Sequence, residues 1–435
     1  MNLKLPSGHN AFADAFRDKI LPLRARADVR NDWLKQRLEE ILPEIMKREG
    51  FDMWIVIARE YNEDPVIMSM LPQPAMSARR RTILVFHVRV GDSLERLTLD
   101  RYGLGEYYKA AWDPDQQEQY DCLGRIVRER DPNVIGVNVA CDSAFGDGLT
   151  HSEYERLSEA LGETYMSRTR IAARLAVGWL ERRSEAELTV YPGIAEVGHA
   201  IIAEAFSSRV IQPGITTTDD VEWWMRQKIL DLGLRAWFQP MVDIQAAGQG
   251  FQLPGASHAA AKRNLILPGD LLHCDVGFHY LSLATDQQQN AYVLRPGEMD
   301  APDGLRVALA EGNRLQDILA DAMVVGRTGN EILRTALERA RGEGLSPSIY
   351  THPLGYHGHG AGPTIGLWDR QEGVPGRGDY ELFDDTVYAI ELNVATEISE
   401  WDGQQVVMAL EEDAAFSNGR LQWLPGRQTA LHLIG

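Results

Sequence analysis

Cysteine is scarce: Cys122, Cys141 and Cys274 are all that a chain of 435 residues carries. An odd number at such wide spacing argues against a disulfide framework and against a thiolate zinc site. Positive charge is also short. Lys and Arg total 44 against 63 Asp and Glu, a net charge of −19, which argues against nucleic acid or an anionic membrane surface as a partner. No apolar run approaches the length needed to span a bilayer. The opening MNLKLPSGHNAFADAF has no apolar core of signal-peptide type, so a cytoplasmic location is expected. The first 165 residues hold no phosphate loop and no nucleophile motif.

What remains is an ordinary globular composition, 44% hydrophobic and 25% charged, in a chain long enough for two or three domains. The expected class is α/β (α+β). Residues 1–165 read as one α/β unit, with helical spacing from Asp28 to Arg48 and buried strands at Trp54–Ile57, Thr82–Phe86 and Val134–Val137. Strands alternating with helices suggest a mostly parallel sheet. Helical, charged sequence follows, and 166–182 is expected to be a linker. A second domain then runs over 183–435. It contains an echo. Helical Ile194–Phe206 leads to a turn with Thr217 and Asp220, then a second helix. Helical Leu305–Val325 leads to a turn with Thr328 and Glu331, then another. A threonine with an acid three positions on is a helix-capping pattern. Two such copies predict a pseudo-twofold domain with a site at the seam.

The stretch Leu267–Leu294 carries the first chemical signal. Leu271–Val276 and Leu281–Leu294, joined through Gly277-Phe278-His279-Tyr280, read as a hairpin. Asp275 and Asp286 lie eleven positions apart on it and can face one another. Carboxylates converging in an apolar site repel unless a cation lies between them. Further on come a Gly/His-rich segment, His352-Pro-Leu-Gly-Tyr-His357-Gly-His359-Gly, and Glu391 inside the apolar run Val387–Val394. The cluster Glu411-Glu412-Asp413 follows. Two Asp, two Glu and one His form a hard donor set suited to Mn²⁺, Co²⁺ or Zn²⁺. Four negative charges are balanced by two divalent ions.

Asp275-x-Gly, Asp286, Gly358-His359-Gly360, Ile390-Glu391 and Glu412-Asp413, in this order, resemble the pita-bread metallopeptidases, the group of methionine aminopeptidase, aminopeptidase P and prolidase. The resemblance covers Arg183 to the C-terminus. The first domain resembles the creatinase-type N-terminal domain of aminopeptidase P and prolidase. The resemblance implies a creatinase-like domain followed by a pita-bread domain. It implies a peptidase acting near a peptide N-terminus, before proline, with two metal ions, manganese foremost. The implied ligands are Asp275, Asp286, His359, Glu391 and Glu412, with Glu411 as the alternative to Glu412 and His357 as the alternative to His359. His258, seventeen positions before Asp275, matches the family's substrate-contacting histidine. Glu391 would shuttle a proton, and His258 or His357 would stabilise the intermediate. A peptide or small amide substrate and a homodimer are further expectations, and neither nucleic acid nor membrane is expected as a partner. An alternative chemistry on the same fold is metal-dependent hydrolysis of a small non-peptide amide or guanidino compound.

Two departures stand out. The family often has Asp-x-Thr-Arg-Thr after the second Asp, where this chain has Asp286-Gln-Gln-Gln-Asn. The family's further His–Glu past the ligand histidine is missing from Gly360–Arg370, and His357 is the residue available to take over that role.

Overall fold

The computed structural model describes residues 13–89, 91, 93–249 and 263–435. The chain divides into two compact units, one formed by Leu23–Glu187 and the other by Leu188–Gly435 with the segment ending at Pro22.

The first unit is built on one six-stranded sheet. Its strands are β1 (Met53–Arg59), β2 (Arg81–Val88), β3 (Leu94–Thr98), β4 (Lys109–Ala110), β5 (Ile135–Val137) and β6 (Thr169–Ile171), in the order β4-β3-β2-β1-β5-β6. Helices α1 (Leu23–Gln36), α2 (Leu42–Glu49), α3 (Ile67–Met70), α4 (Gln119–Arg130), α5 (His151–Met166) and α6 (Ala173–Glu181) complete it. The sheet is mixed rather than mostly parallel. β1 pairs parallel with β5, and β5 with β6, but the long pairings β1–β2 and β2–β3 are antiparallel. Between β1 and β2 the only helix is the single turn α3, too little for the crossover that a parallel neighbour needs. Segment 166–182 also differs from its expected role as a linker. It supplies edge strand β6 and helix α6, whose Leu175, Ala176, Val177, Trp179 and Leu180 are all buried. An apolar helix of this kind belongs to a core, and its burial is what a solvated linker could not supply. The division of the chain falls after Glu187, near the start of α7 (Glu185–Ala205).

The second unit contains the repeated halves. In one, α7 leads to α8 (Thr218–Asp231), then to antiparallel strands β8 (Met241–Gln245), β9 (Leu271–Val276) and β12 (Gln287–Val293). In the other, α9 (Asp303–Ala322) leads to α10 (Gly329–Gly342), then to antiparallel β13 (Pro347–Ile349), β16 (Leu392–Ile398) and β17 (Gln404–Leu410). The sheet orders β12-β9-β8 and β17-β16-β13 correspond strand for strand. Both inter-helix turns close as reciprocal caps: the Thr217 hydroxyl accepts from Asp220 N–H and the Thr328 hydroxyl from Glu331 N–H, while each acid accepts from its threonine's own N–H.

The expected hairpin is present but longer-jointed. β7 (Arg235–Ala236), β10 (Phe278–Tyr280) and β11 (Leu283–Ala284) form a small separate sheet at its tip. A third set is β14 (His352–Leu354), β15 (Thr386–Ala389), β18 (Asp413–Ser417) and β19 (Arg420–Trp423), while β20 (His432–Ile434) pairs alongside β12. β12 itself is unusual. Its first four residues, Gln287-Gln288-Gln289-Asn290, are amides, yet the whole strand is buried. Side-chain hydrogen bonds replace apolar contact. Gln287 donates to Ala195 O on α7, and Asn290 donates to Ala409 O on β17. The close approach of α7 depends on Gly198, where a Cβ would collide with Gln287 Oε1.

Candidate metal centre

Alternation along β9 and β12 sorts the polar residues onto two faces. Asp275 pairs with Gln288 across the ladder, and His273 with Asn290. Residues directly opposite share a face, and so do residues two apart. His273, Asp275, Asp286, Gln288 and Asn290 therefore lie on one side, and Cys274 and Gln289 on the other. Cys274 is fully buried there, as packing.

The two glutamates arrive from kinks. Glu391 lies between β15 and β16 and Glu411 just after β17, where the chain passes from one sheet to another. Glu411 pairs with Gln288 as an isolated antiparallel bridge, with Gln288 N–H donating to Glu411 O at 2.9 Å and Glu411 N–H to Gln288 O at 3.1 Å. That register puts Glu411 on the face of Asp275 and sends Glu412 to the opposite one. His352 opens β14, adjacent to Thr351, whose hydroxyl donates to Glu391 O.

These residues form three overlapping donor groups: Asp275, Asp286 and Glu411; His352, Glu391 and Glu411; and Asp286, His352 and His359. Within each, one donor atom per residue lies within 4.8 Å of the others. His352 Nε2 is 3.4 Å from Glu411 Oε1 and 3.6 Å from Asp286 Oδ2. Among the described residues, none of the four acids pairs with a lysine or arginine.

The electrostatics follow from burial without a cation. Burial lifts the Asp275 carboxyl to about 7, against the pull of Asp286 and His352. Burial, then the charges of Glu411 and Asp275, hold Asp286 well above the usual carboxylate range. Burial with Glu411 does the same to Glu391, and burial with Asp275 to Glu411. His352 is pushed down by burial, despite Glu391 nearby. Asp275 Oδ1, Asp286 Oδ1, Glu411 Oε1 and His352 Nε2 are buried without a hydrogen-bond partner. An atom left so costs roughly 1–3 kcal/mol. Four of them spread over overlapping donor groups, three carboxylate oxygens and one imidazole nitrogen, fit divalent cations bound among them.

Rings close one side of the centre. His359 packs against His352 (centroids 4.8 Å apart), Trp237 (5.2 Å) and Tyr350 (6.0 Å), and Tyr350 also meets Trp368 at 5.8 Å. The outer edge of His359 is open to solvent. The packing on its inner side, then the neighbouring His352, pull its imidazole down to about 4, so it is neutral at pH 7.

Measured against the sequence, Asp275, Asp286 and Glu391 come together with His359 at the margin. Glu412 does not join them. Its carboxylate meets His199 Nε2 and accepts from Gln289 Nε2 at 2.9 Å and Gln428 N–H at 2.8 Å, on the far face of the ladder. Glu411 takes the expected place of Glu412. The period of two decides between the neighbours, because adjacent residues near a strand end face opposite ways. Sequence reasoning misses His352, although it lies in the same Gly/His-rich segment. The signal that could have found it is its position at the start of an apolar His-Pro-Leu strand rather than among glycines. Gln288 is missed too, and only its place among buried amides hinted at it. His357 is half-buried, its ring 5.1 Å from that of Tyr356. His258 lies outside the described residues.

Residues 194–415, just over half of the chain, match the model of metallopeptidase family M24. A comparison with curated proteins finds no match. Among solved structures, the X-Pro aminopeptidase of Thermotoga maritima is similar at 15% identity and a TM-score of 0.62, covering 90% of this chain and 99% of that one. The Xaa-Pro dipeptidase of Bacillus anthracis is similar at 16% identity and 0.61, covering 92% and 99%. The N-terminal domain of the FACT complex subunit SPT16 from chickpea, Cicer arietinum, is similar at 13% and 0.55, covering 93% and 99%. At such identities these likenesses show a shared two-domain fold. No helix among the described residues is long and apolar enough to cross a membrane. By the match over residues 194–415, with a buried carboxylate–histidine centre inside it, the chain belongs to the M24 metallopeptidases.

Proposed function

We propose that this peptidase cleaves a peptide bond near a substrate's N-terminus, with proline following the scissile bond, and that Asp275, Asp286, His352, Glu391 and Glu411 hold two divalent ions, manganese foremost. The observation that carries the reading is the presence of four partnerless buried donor atoms within overlapping clusters of carboxylates and histidine. Bound there, the ions would make water a nucleophile at neutral pH and polarise the scissile carbonyl.

The chain's own groups supply the rest. Glu391 has one oxygen, Oε1, held by Gln288 Nε2 at 2.6 Å and, besides its place in the ligand set, would carry a proton from the attacking water to the leaving nitrogen. His359, which packs on His352, can steady charge on the carbonyl oxygen, and His357 is the second candidate for that role. Trp237, Tyr350 and Trp368 offer flat faces on which a proline ring packs. The two bacterial neighbours, an X-Pro aminopeptidase and an Xaa-Pro dipeptidase, support proline as the determinant. A cytoplasmic homodimer is part of the same reading.

The test is turnover of X-Pro dipeptides, longer X-Pro peptides and non-peptide amides by chelator-treated protein with and without added Mn²⁺. Manganese-dependent cleavage of an X-Pro bond is expected. Cleavage of the non-peptide amides alone would favour amide hydrolysis on the same fold, and absence of both metal uptake and turnover would remove the reading.

A further inference from the structure

His273 of β9 and Gln288 of β12 are both buried, on the face of the ladder that carries Asp275 and Asp286. They sit diagonally across the pairing, within reach of one another's side chains. His273 Nε2 lies 2.8 Å from Gln288 Oε1. The amide nitrogen of Gln288 donates to Glu391 Oε1 at 2.6 Å and to Glu411 Oε2 at 2.7 Å. Four side chains from four stretches of the chain are thus joined in one hydrogen-bonded series.

The glutamates set the direction of every bond in it. Ionised, two carboxylates can only accept, so the NH₂ group must face them and Oε1 must face His273. The imidazole must then carry its proton on Nε2, because the other tautomer would set two lone pairs against each other. Its Nδ1 has no hydrogen-bond partner, so the ring is held by its bond to Gln288 alone. Without that donor, Oε1 would be a buried acceptor with no partner, and turning the amide to relieve it would take the NH₂ group from the glutamates. The two acids, which repel, would then be free to part.

We infer that His273, which makes no hydrogen bond to any ligand of the centre, is a positioning residue for the reaction. Acting through Gln288, it fixes the spacing of Glu391 and Glu411 and the orientation in which Glu391 carries its proton. This rests on the function proposed above. Gln288 stands where the resembling family often has threonine, a side chain too short to bridge both glutamates.

Two measurements test it. The first needs no turnover: imidazole nitrogen shifts of the zinc-loaded, diamagnetic full chain, with the His273 signal identified by its loss in His273→Gln. A proton on Nε2 is expected, and a proton on Nδ1 would overturn the inference. The second is steady-state cleavage of an X-Pro peptide at saturating Mn²⁺. His273→Leu should lower kcat by roughly 10–100-fold, the scale on which loss of an outer hydrogen-bonding partner acts, with KM within a few-fold of wild type. His273→Gln, which returns an amide N–H near the place of Nε2, should recover most of that loss. Gln288→Leu breaks the series from its other end and serves if His273→Leu folds poorly. The double variant should be no slower than Gln288→Leu alone, since the two residues act in line. Unchanged kcat in every folded variant, no recovery in His273→Gln, or additive losses in the double variant would overturn the positioning role while leaving the two-metal peptidase intact. A wild-type chain that neither binds Mn²⁺ nor cleaves the peptide would bring down both.

Discussion

The β9–β12 ladder has two polar faces, and they are built on opposite terms. On one, Glu412 is fully satisfied: His199, Gln289 and Gln428 surround it, and Gln289 Oε1 in turn lies 2.8 Å from His432 Nε2. On the other, Glu411 has Gln288 on one oxygen and no hydrogen bond on the other, and Asp275, Asp286 and His352 each leave an atom without a hydrogen bond. The two glutamates are neighbours in sequence and equally buried. What separates them is whether the protein supplies the partners. A buried acid whose partners are present is a structural element. A cluster whose partners are lacking is one that the fold keeps for a ligand, since polar groups are not left bare in a core without cost.

The largest effect should come from exchanging those neighbours. Glu411→Gln is expected to weaken Mn²⁺ binding by more than roughly 100-fold, the upper end of what loss of a supporting hydrogen bond does. Glu412→Gln should leave ion binding within a few-fold and instead lower stability by roughly 1–3 kcal/mol through the broken His199 contact. Calorimetric titration and denaturant unfolding of both variants measure this, and equal loss of ion binding in the two would erase the contrast between the faces.

Next is pH. In the ion-free protein the Asp275 carboxyl is lifted from 3.8 to about 7, so the unfolded chain releases this proton first as pH rises. The folded state must therefore lose stability between about pH 4 and pH 7, and Asp286, Glu391 and Glu411 shift in the same direction. Manganese reverses the local logic by favouring the ionised acids. Thermal unfolding with chelator should show the melting temperature falling across that window, and the rise on adding Mn²⁺ should be greater at pH 7.5 than at pH 5. A rise independent of pH would mean that these acids are not what the ion meets.

A smaller effect is expected at the aromatic wall. A Cβ at Gly358 would run into the Trp237 ring, so Gly358→Ala must displace the indole from beside His359. Overpacking of this kind costs roughly 1–3 kcal/mol. Substrate KM should rise while Mn²⁺ affinity stays near the wild-type value, and a change in affinity alone would count against a substrate-binding role for the wall. The smallest effect compares the repeated halves. Thr217→Ala and Thr328→Ala each remove one member of a reciprocal cap and should each cost about 1 kcal/mol, read by denaturant unfolding, with ion binding unaltered.

Much of this was legible in the chain. Thr217 with Asp220 and Thr328 with Glu331 announced the repeat because capping is local chemistry. Asp275, Asp286 and Glu391 stood out because a carboxylate amid Leu, Ile and Val is costly to bury unless a cation or a hydrogen-bond partner meets it. The strand through Gln287–Asn290 was legible as part of the hairpin segment Leu281–Leu294, but the burial of its amides was not, because hydrophobic periodicity cannot see side chains held by hydrogen bonds to distant partners. The mixed sheet of the first unit and the core helix Ala173–Glu181 escaped the sequence for a related reason. Whether a strand turns back on itself, or a charged-edged helix is covered, depends on what packs against it.

By itself, then, the sequence determined which acids had to be buried and which turns had to cap helices, since burial pattern and capping are written in residues a few positions apart. Only the tertiary structure decided that Glu411 rather than Glu412 enters the centre, that His352 joins it, and that Gln288 bridges its glutamates. The first and last of those choices follow from the register between β12 and the end of β17, where a shift of one residue would turn every side chain to the other face, and the second from the pairing of His352 with Ala389 between β14 and β15.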